Sequence, residues 1–147
     1  MRTSTAILIS AGVSAIGIAF SHVQHRQRLE LGTAELHQNM LADTLRDPDL
    51  LELWRTKDET LEKFKRSVGA NRQLSFTALK YRLGLLSPET LRVQTDSLMH
   101  RRGVREHWEQ HQSFRMAEAG SRRDREFLTA LAASHQATQE LAPPPVG

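Results

Sequence analysis

The chain contains no cysteine. A disulfide framework, thiol catalysis and cysteine-ligated zinc are thereby excluded. Aromatic side chains are scarce, at five Phe, two Trp and one Tyr, so few large residues are available to anchor a core. Neither sign of charge dominates, since 20 Lys and Arg face 17 Asp and Glu for a net charge of +3. That balance excludes a strongly basic arm or a polyacidic tail. Glycines occur only singly, and there is no Gly-x-Gly-x-x-Gly, Walker loop or Gly-x-Ser-x-Gly. A phosphate cradle needs backbone N–H groups exposed by a glycine-rich turn, and a nucleophile elbow needs its own strained turn. Alternation of period two over a strand's length is missing, as are Asn-Gly and Asp-Gly hairpin signals. What remains is helical periodicity in a chain of 147 residues, the size of one domain.

A mean hydropathy of −0.48 conceals one apolar run. From Thr5 to Val23 the chain reads TAILISAGVSAIGIAFSHV, without Lys, Arg, Asp or Glu. At ~1.5 Å rise per residue the run covers about 28 Å, against a hydrocarbon core of ~30 Å. It reads as an uncleaved, single-pass anchor. The alternative is a signal peptide with Arg2 as its basic region and cleavage after Gly17-Ile18-Ala19, releasing a secreted helical protein. Continuation of the apolar run through Phe20 and Val23 favours the anchor. Arg26 and Arg28 follow the run and only Arg2 and the α-amine precede it, which puts the C-terminal domain in the cytoplasm by the positive-inside rule. Ala11, Ala15 and Ala19 recur at i, i+4 and i+8. Such a ridge of small residues lets two membrane helices pack closely as a homodimer.

Beyond Val23 the composition turns polar with no Pro or Gly at the junction, so the helix is predicted to continue outward. Leu29, Leu36, Met40 and Leu41 recur near helical spacing. The chain is expected to divide into an anchor over 1–25, a helical domain over 26–141 and a disordered tail over 142–147. Asp47-Pro48 joins a preferred N-cap to a preferred first residue and opens a short helix to Trp54. Thr56-Lys-Asp-Glu59 reads as a capping box for a helix through Val68, with Gly69 loosening the chain. Asn71 to Leu86 repeats Leu74, Phe76, Leu79, Leu83 and Leu86. Ser87-Pro88 opens a helix through Leu98 and Met99, ended by Gly103. Val104 to Ala119 carries Val104, Trp108 and Phe114. Ser121-Arg-Arg-Asp124 caps a last helix with Phe127, Leu128 and Leu131. The expected fold is all-α: one N-terminal transmembrane helix followed by a compact multi-helix bundle with antiparallel neighbours.

Three groups could carry chemistry. His100, His107 and His111 include a pair at i, i+4, a spacing that lets two imidazoles share a metal. Gly103 divides His100 from the others, Glu106 precedes His107 where a zinc protease motif needs Glu after its first His, and the simpler reading is two solvated histidines beside a core Trp108. The carboxylates Asp47, Asp49, Asp58, Glu59 and Glu62 sit at helix starts, where negative charge complements the macrodipole. The basic clusters Arg101-Arg102 with Arg105, and Arg122-Arg123 with Arg125, are interleaved with Glu106, Glu109, Asp124 and Glu126. They read first as a salt-bridged face and second as a contact to anionic lipid headgroups. Nucleic-acid binding would need a net basic face, which the near balance of charge denies. No catalytic motif and no cofactor motif is legible.

Several segments together resemble an actinobacterial family designated domain of unknown function 6082. They are His37-Gln-Asn-Met-Leu-Ala-Asp-Thr-Leu-Arg-Asp47-Pro48-Asp-Leu-Leu-Glu-Leu-Trp54, the Asn71–Leu86 segment with Tyr81, Gly103-Val-Arg105-Glu106-His107-Trp108, and Arg125-Glu-Phe127. The resemblance implies a short, largely helical, membrane-anchored protein, and it brings no established activity. His107 stands where Tyr or Phe is expected beside the Trp, and Lys80-Tyr81-Arg82 replaces a Tyr-x-Asn-type segment. Physically, Asp47 and Pro48 start a helix, Trp54, Tyr81, Trp108 and Phe127 pack, and Arg105 and Glu106 are expected to bridge. The function expected is a non-catalytic interaction or regulatory module, tethered to the bilayer and serving a protein partner. The alternatives are a small metal-binding sensor or enzyme using His107 and His111, or a secreted helical protein.

Overall fold

The computed structural model describes the backbone of residues 2–141 and the side chains of residues 21–141. Among the described residues the chain is all-helical, with α1 at Arg2–Arg46, α2 at Pro48–Trp54, α3 at Leu61–Arg82, α4 at Pro88–Met99, α5 at Arg102–Glu118 and α6 at Arg122–Glu140. The proline-rich tail expected to be disordered lies outside them. The chain separates into two compact units, Met1–Asn39 and Met40–Gly147. α1 runs uninterrupted through the change of composition after residue 25, as the missing Pro or Gly at that junction predicts.

The first unit is helical, and Val23, Leu29, Leu31 and Leu36 are exposed on it. Among the described residues no helix is long and apolar enough to cross a membrane. The Thr5–Val23 run, with Ala11, Ala15 and Ala19, falls almost entirely on residues whose side chains lie outside that description.

In the second unit, local chemistry sets most helix starts. Asp47 is extended, and its carboxylate accepts the Asp49 N–H at 2.9 Å, with Pro48 in the first turn. Ser87 caps α4 by accepting from Thr90 N–H. Ser121 and Asp124 form a reciprocal capping box on α6. The expected box at Thr56 is not used. Thr60 caps α3 instead, accepting from Lys63 N–H at 3.3 Å. Residues 55–60 form a turn, held by Glu59 N–H donating to Thr56 O and by the Arg55 guanidinium donating to Glu59 O at 2.6 Å. Gly69 does not loosen the chain, because it lies within α3 and is flanked by the buried Val68 and Ala70. Packing of that face outweighs the roughly 1 kcal/mol helix cost of one glycine. Gly103 likewise sits in the first turn of α5 rather than ending α4. A Cβ there would lie 3.8 Å from the Cβ of Arg66 on α3, so the two helices approach closely at that point. Gly84 has a required role. Its φ of +76° closes α3, with Leu85 N–H donating to Lys80 O and Gly84 N–H to Tyr81 O. This is the Schellman arrangement, which favours glycine because it lacks a Cβ.

α3 to α6 form the bundle. Its closest packing joins alternate helices, α3 with α5 and α4 with α6, rather than the sequential antiparallel neighbours expected. The α3–α5 pair runs parallel, since Arg66 lies by Gly103, Ser67 by His107 and Asn71 by Arg115. The α4–α6 pair is also parallel. Arg123 reaches Gly84, just before α4 starts, and Ser134 reaches Thr95 near its end. Short connections at both ends permit this, because each reversal of direction places alternate helices side by side. The core is Leu74, Met99, Trp108, Phe127 and Leu131, with Tyr81, Leu86, Leu91, Leu98, Val104 and Leu128 around them. Trp54 does not belong to it and is 60% exposed. It ends a seven-residue helix in which Leu51 is the buried residue. Phe76 and Phe114 are exposed as well.

Candidate functional site

A groove of about 800 Å³ runs between α4 and α6 and is closed at one end by the last turn of α3. Its size is that of small-ligand sites. Leu86, Pro88, Leu91, Ala130 and Ala133 supply apolar walls. The alanines on α6 are what keep the groove open, since larger side chains at those positions would fill it. Arg122, Arg123 and Arg125 lie in the first turn of α6, and Arg92 lies in the second turn of α4. The three α6 arginines thus stand at the end of the groove where both parallel helices start.

Two acids line the same groove, Asp96 and Glu126, and both are engaged. Glu126 accepts from Tyr81 Oη at 2.8 Å and pairs with Arg122 at 3.5 Å. The bond to Glu126, then burial, raises the Tyr81 pKa above its ordinary value. Asp96 accepts from Ser134 Oγ at 2.5 Å, and Thr95 Oγ1 lies 3.0 Å from the same hydroxyl. Arg123 is committed to structure. It donates to Tyr81 O and lies over the Tyr81 ring, 5.3 Å from the centroid. Arg125 reaches only Ala119 O, at 3.4 Å. Among the described residues Arg92 and Arg125 have no carboxylate at ion-pair distance. Glu89 attracts Arg92 from the preceding turn, and four arginines against Asp96 and Glu126 leave the groove net positive beside an apolar wall. Sequence reading found the arginine cluster but not the groove, because parallel α4–α6 packing has no signature in spacing along the chain.

The histidines form a different arrangement. His107 is 6% exposed and not solvated as expected. Its Nδ1 lies 2.8 Å from Ser67 Oγ on α3. Its ring is 4.4 Å from that of His111, centroid to centroid. Nε2 is buried and has no hydrogen-bond partner among the described residues. Burial foremost, then the positive ends of His111 and Arg115, pushes the His107 pKa down to about 3. This imidazole is neutral at physiological pH. His100 is separated from the pair, on the C-cap of α4, with its Nδ1 on Asp96 O. Neither described cavity is lined by His107 or His111. Among the described residues no three His, Asp or Glu side chains are placed to hold a metal. The smaller cavity, about 210 Å³ between α3, α5 and α6, includes Arg115, whose pKa burial lowers, and Glu118.

A model of the Family of unknown function (DUF6082) matches residues 2–146. The chain belongs to this family. Neither a curated protein nor a solved structure matches it. The DUF6082-like segments can now be placed. Asp47 and Pro48 start α2, while Trp54 at its end packs against little. Tyr81, Trp108 and Phe127 are all core residues, and of these Tyr81 also lines the groove. Arg105 and Glu106 do not bridge each other. Arg105 donates to Met99 O at 2.7 Å, tying α5 to the end of α4, and Glu106 pairs with Arg102 at 2.6 Å. Residues one apart on a helix point about 100° away from each other, so the expected bridge is geometrically unfavourable.

Proposed function

We propose that this DUF6082 chain is a non-catalytic binding and regulatory module, held at the cytoplasmic face of the membrane by its Thr5–Val23 run. The observation that carries the binding part is the α4–α6 groove, with its apolar wall and an excess of arginines over acids. The tether follows from the charge-free apolar run, whose length suits a bilayer. Tethering raises the effective concentration at which the bundle meets a protein partner in the same membrane. The small-residue ridge at Ala11, Ala15 and Ala19 supports pairing of two anchors.

The tether is tested by fractionating cells that express the tagged full-length chain. The expected result is full-length protein remaining in membranes through salt and carbonate washes. A soluble product beginning near Phe20 would overturn the anchor in favour of a secreted protein.

A further inference from the structure

We propose that the α4–α6 groove holds a single-chain acyl anion, with its carboxylate or phosphate head at the arginine end and its chain along Leu91, Ala130 and Ala133. This rests on the groove being the binding face. Three observations select the ligand class. The cavity, about 800 Å³, lies within the range of small-ligand sites. Its charge is polarised along its length. Arg122, Arg123 and Arg125 all lie in the first turn of α6, whereas Ala130 and Ala133 lie further along it, with Arg92 on the second turn of α4 between them. Of the two acids, Glu126 is paired with Arg122 at the arginine end, while Asp96, which keeps its charge as it accepts from Ser134, stands toward the other end of the groove. Arg125 is left to meet the head, and Arg92, beside Glu89, adds its charge to the same groove. A guanidinium suits either oxyanion because its planar donors match both geometries. A cationic amphiphile would meet the same arginines and be repelled, and a neutral one would gain only the apolar contact.

The test uses the full chain in nanodiscs of zwitterionic phosphatidylcholine, titrated with dansyl-undecanoate against empty nanodiscs. If the chain proves soluble, the same titration runs in buffer, so failure of the tether leaves the groove testable. The expected result is saturable fluorescence, displaced by laurate or lauryl phosphate at concentrations about tenfold below dodecanol, and not by dodecylamine. Ala133→Trp and Thr129→Trp place bulk in the groove from exposed positions, where folding is unaffected, and each is expected to abolish the signal. Arg92→Gln with Arg125→Gln is expected to weaken laurate about tenfold while leaving dodecanol unchanged. Equal displacement by laurate and dodecanol, with both blocked by the Trp variants, would overturn the anionic class but keep the groove. Unaltered binding in the Trp variants would overturn the groove itself. Binding to anionic vesicles that survives both Trp variants, with no saturable dansyl signal, would replace the acyl ligand by a bilayer headgroup contact.

Discussion

Trp108→Ala is expected to destabilise the bundle by about 3–5 kcal/mol, a large share of the ~5–15 kcal/mol that holds a small domain together. Trp108 is fully buried at the junction of α3, α4, α5 and α6. Removing the indole opens a cavity that its neighbours can only partly refill. Its Nε1 is buried without a hydrogen-bond partner among the described residues. Trp108→Phe removes that unsatisfied donor while keeping much of the volume, so it should cost far less. Trp54→Ala is the internal control. The same residue type at 60% exposure should shift stability by no more than ~0.5 kcal/mol. Urea denaturation checks all three. The midpoint should fall steeply for Trp108→Ala at nearly constant m-value, and hardly at all for Trp54→Ala. Similar losses for the two alanine variants would contradict the packing described.

The second large effect is on acid stability. His107 is held near pKa 3 in the folded protein, against about 6.5 in an unfolded chain. Between those values the unfolded state binds a proton that the folded state does not, so stability falls as pH falls. The contribution is complete above pH ~6.5 and declines below it by up to about 1.4 kcal/mol per pH unit. Glu89 and Glu106 also have shifted carboxyls. Their pKa values are lowered, by the Glu89 backbone hydrogen bond and by the Arg102 bond respectively. The stability they contribute begins to be lost only as the unfolded carboxyls protonate, at about pH 4.5, so among the shifted groups the decline from about pH 6.5 to 4.5 belongs to His107. Thermal melts across that interval should show a clear decrease for the native chain and a much flatter profile for His107→Gln. An unchanged slope in the variant would assign the acid sensitivity to other groups.

Helix starts were legible wherever a short side chain could cap one in only one way. Asp47-Pro48, Ser87-Pro88 and the Ser121–Asp124 box all act as their chemistry requires. Thr56 is followed three residues later by Glu59, the capping-box pattern, whereas Thr60 is followed by Lys63, which offers only its backbone N–H. The choice fell to Thr60 because Arg55 and Glu59 close a turn across the first. Glycine misled at positions 69 and 103, where burial of neighbouring residues keeps the helix intact. It was informative at Gly84, where φ is positive. Heptad-like leucines located the core without saying which helices pair, and the parallel α4–α6 contact that builds the groove depends on that pairing. The two tryptophans looked alike in sequence. Trp108 lies mid-helix between core positions and is enclosed. Trp54 ends a helix too short to cover it.

The measurement that tests the tethered-module reading most directly is protease protection on spheroplasts, combined with the intact mass of the surviving species. A cytoplasmic module predicts a full-length chain whose helical bundle resists external protease until the spheroplasts are lysed. Loss of the bundle from intact spheroplasts, or a mature species lacking residues 1–19, would contradict it.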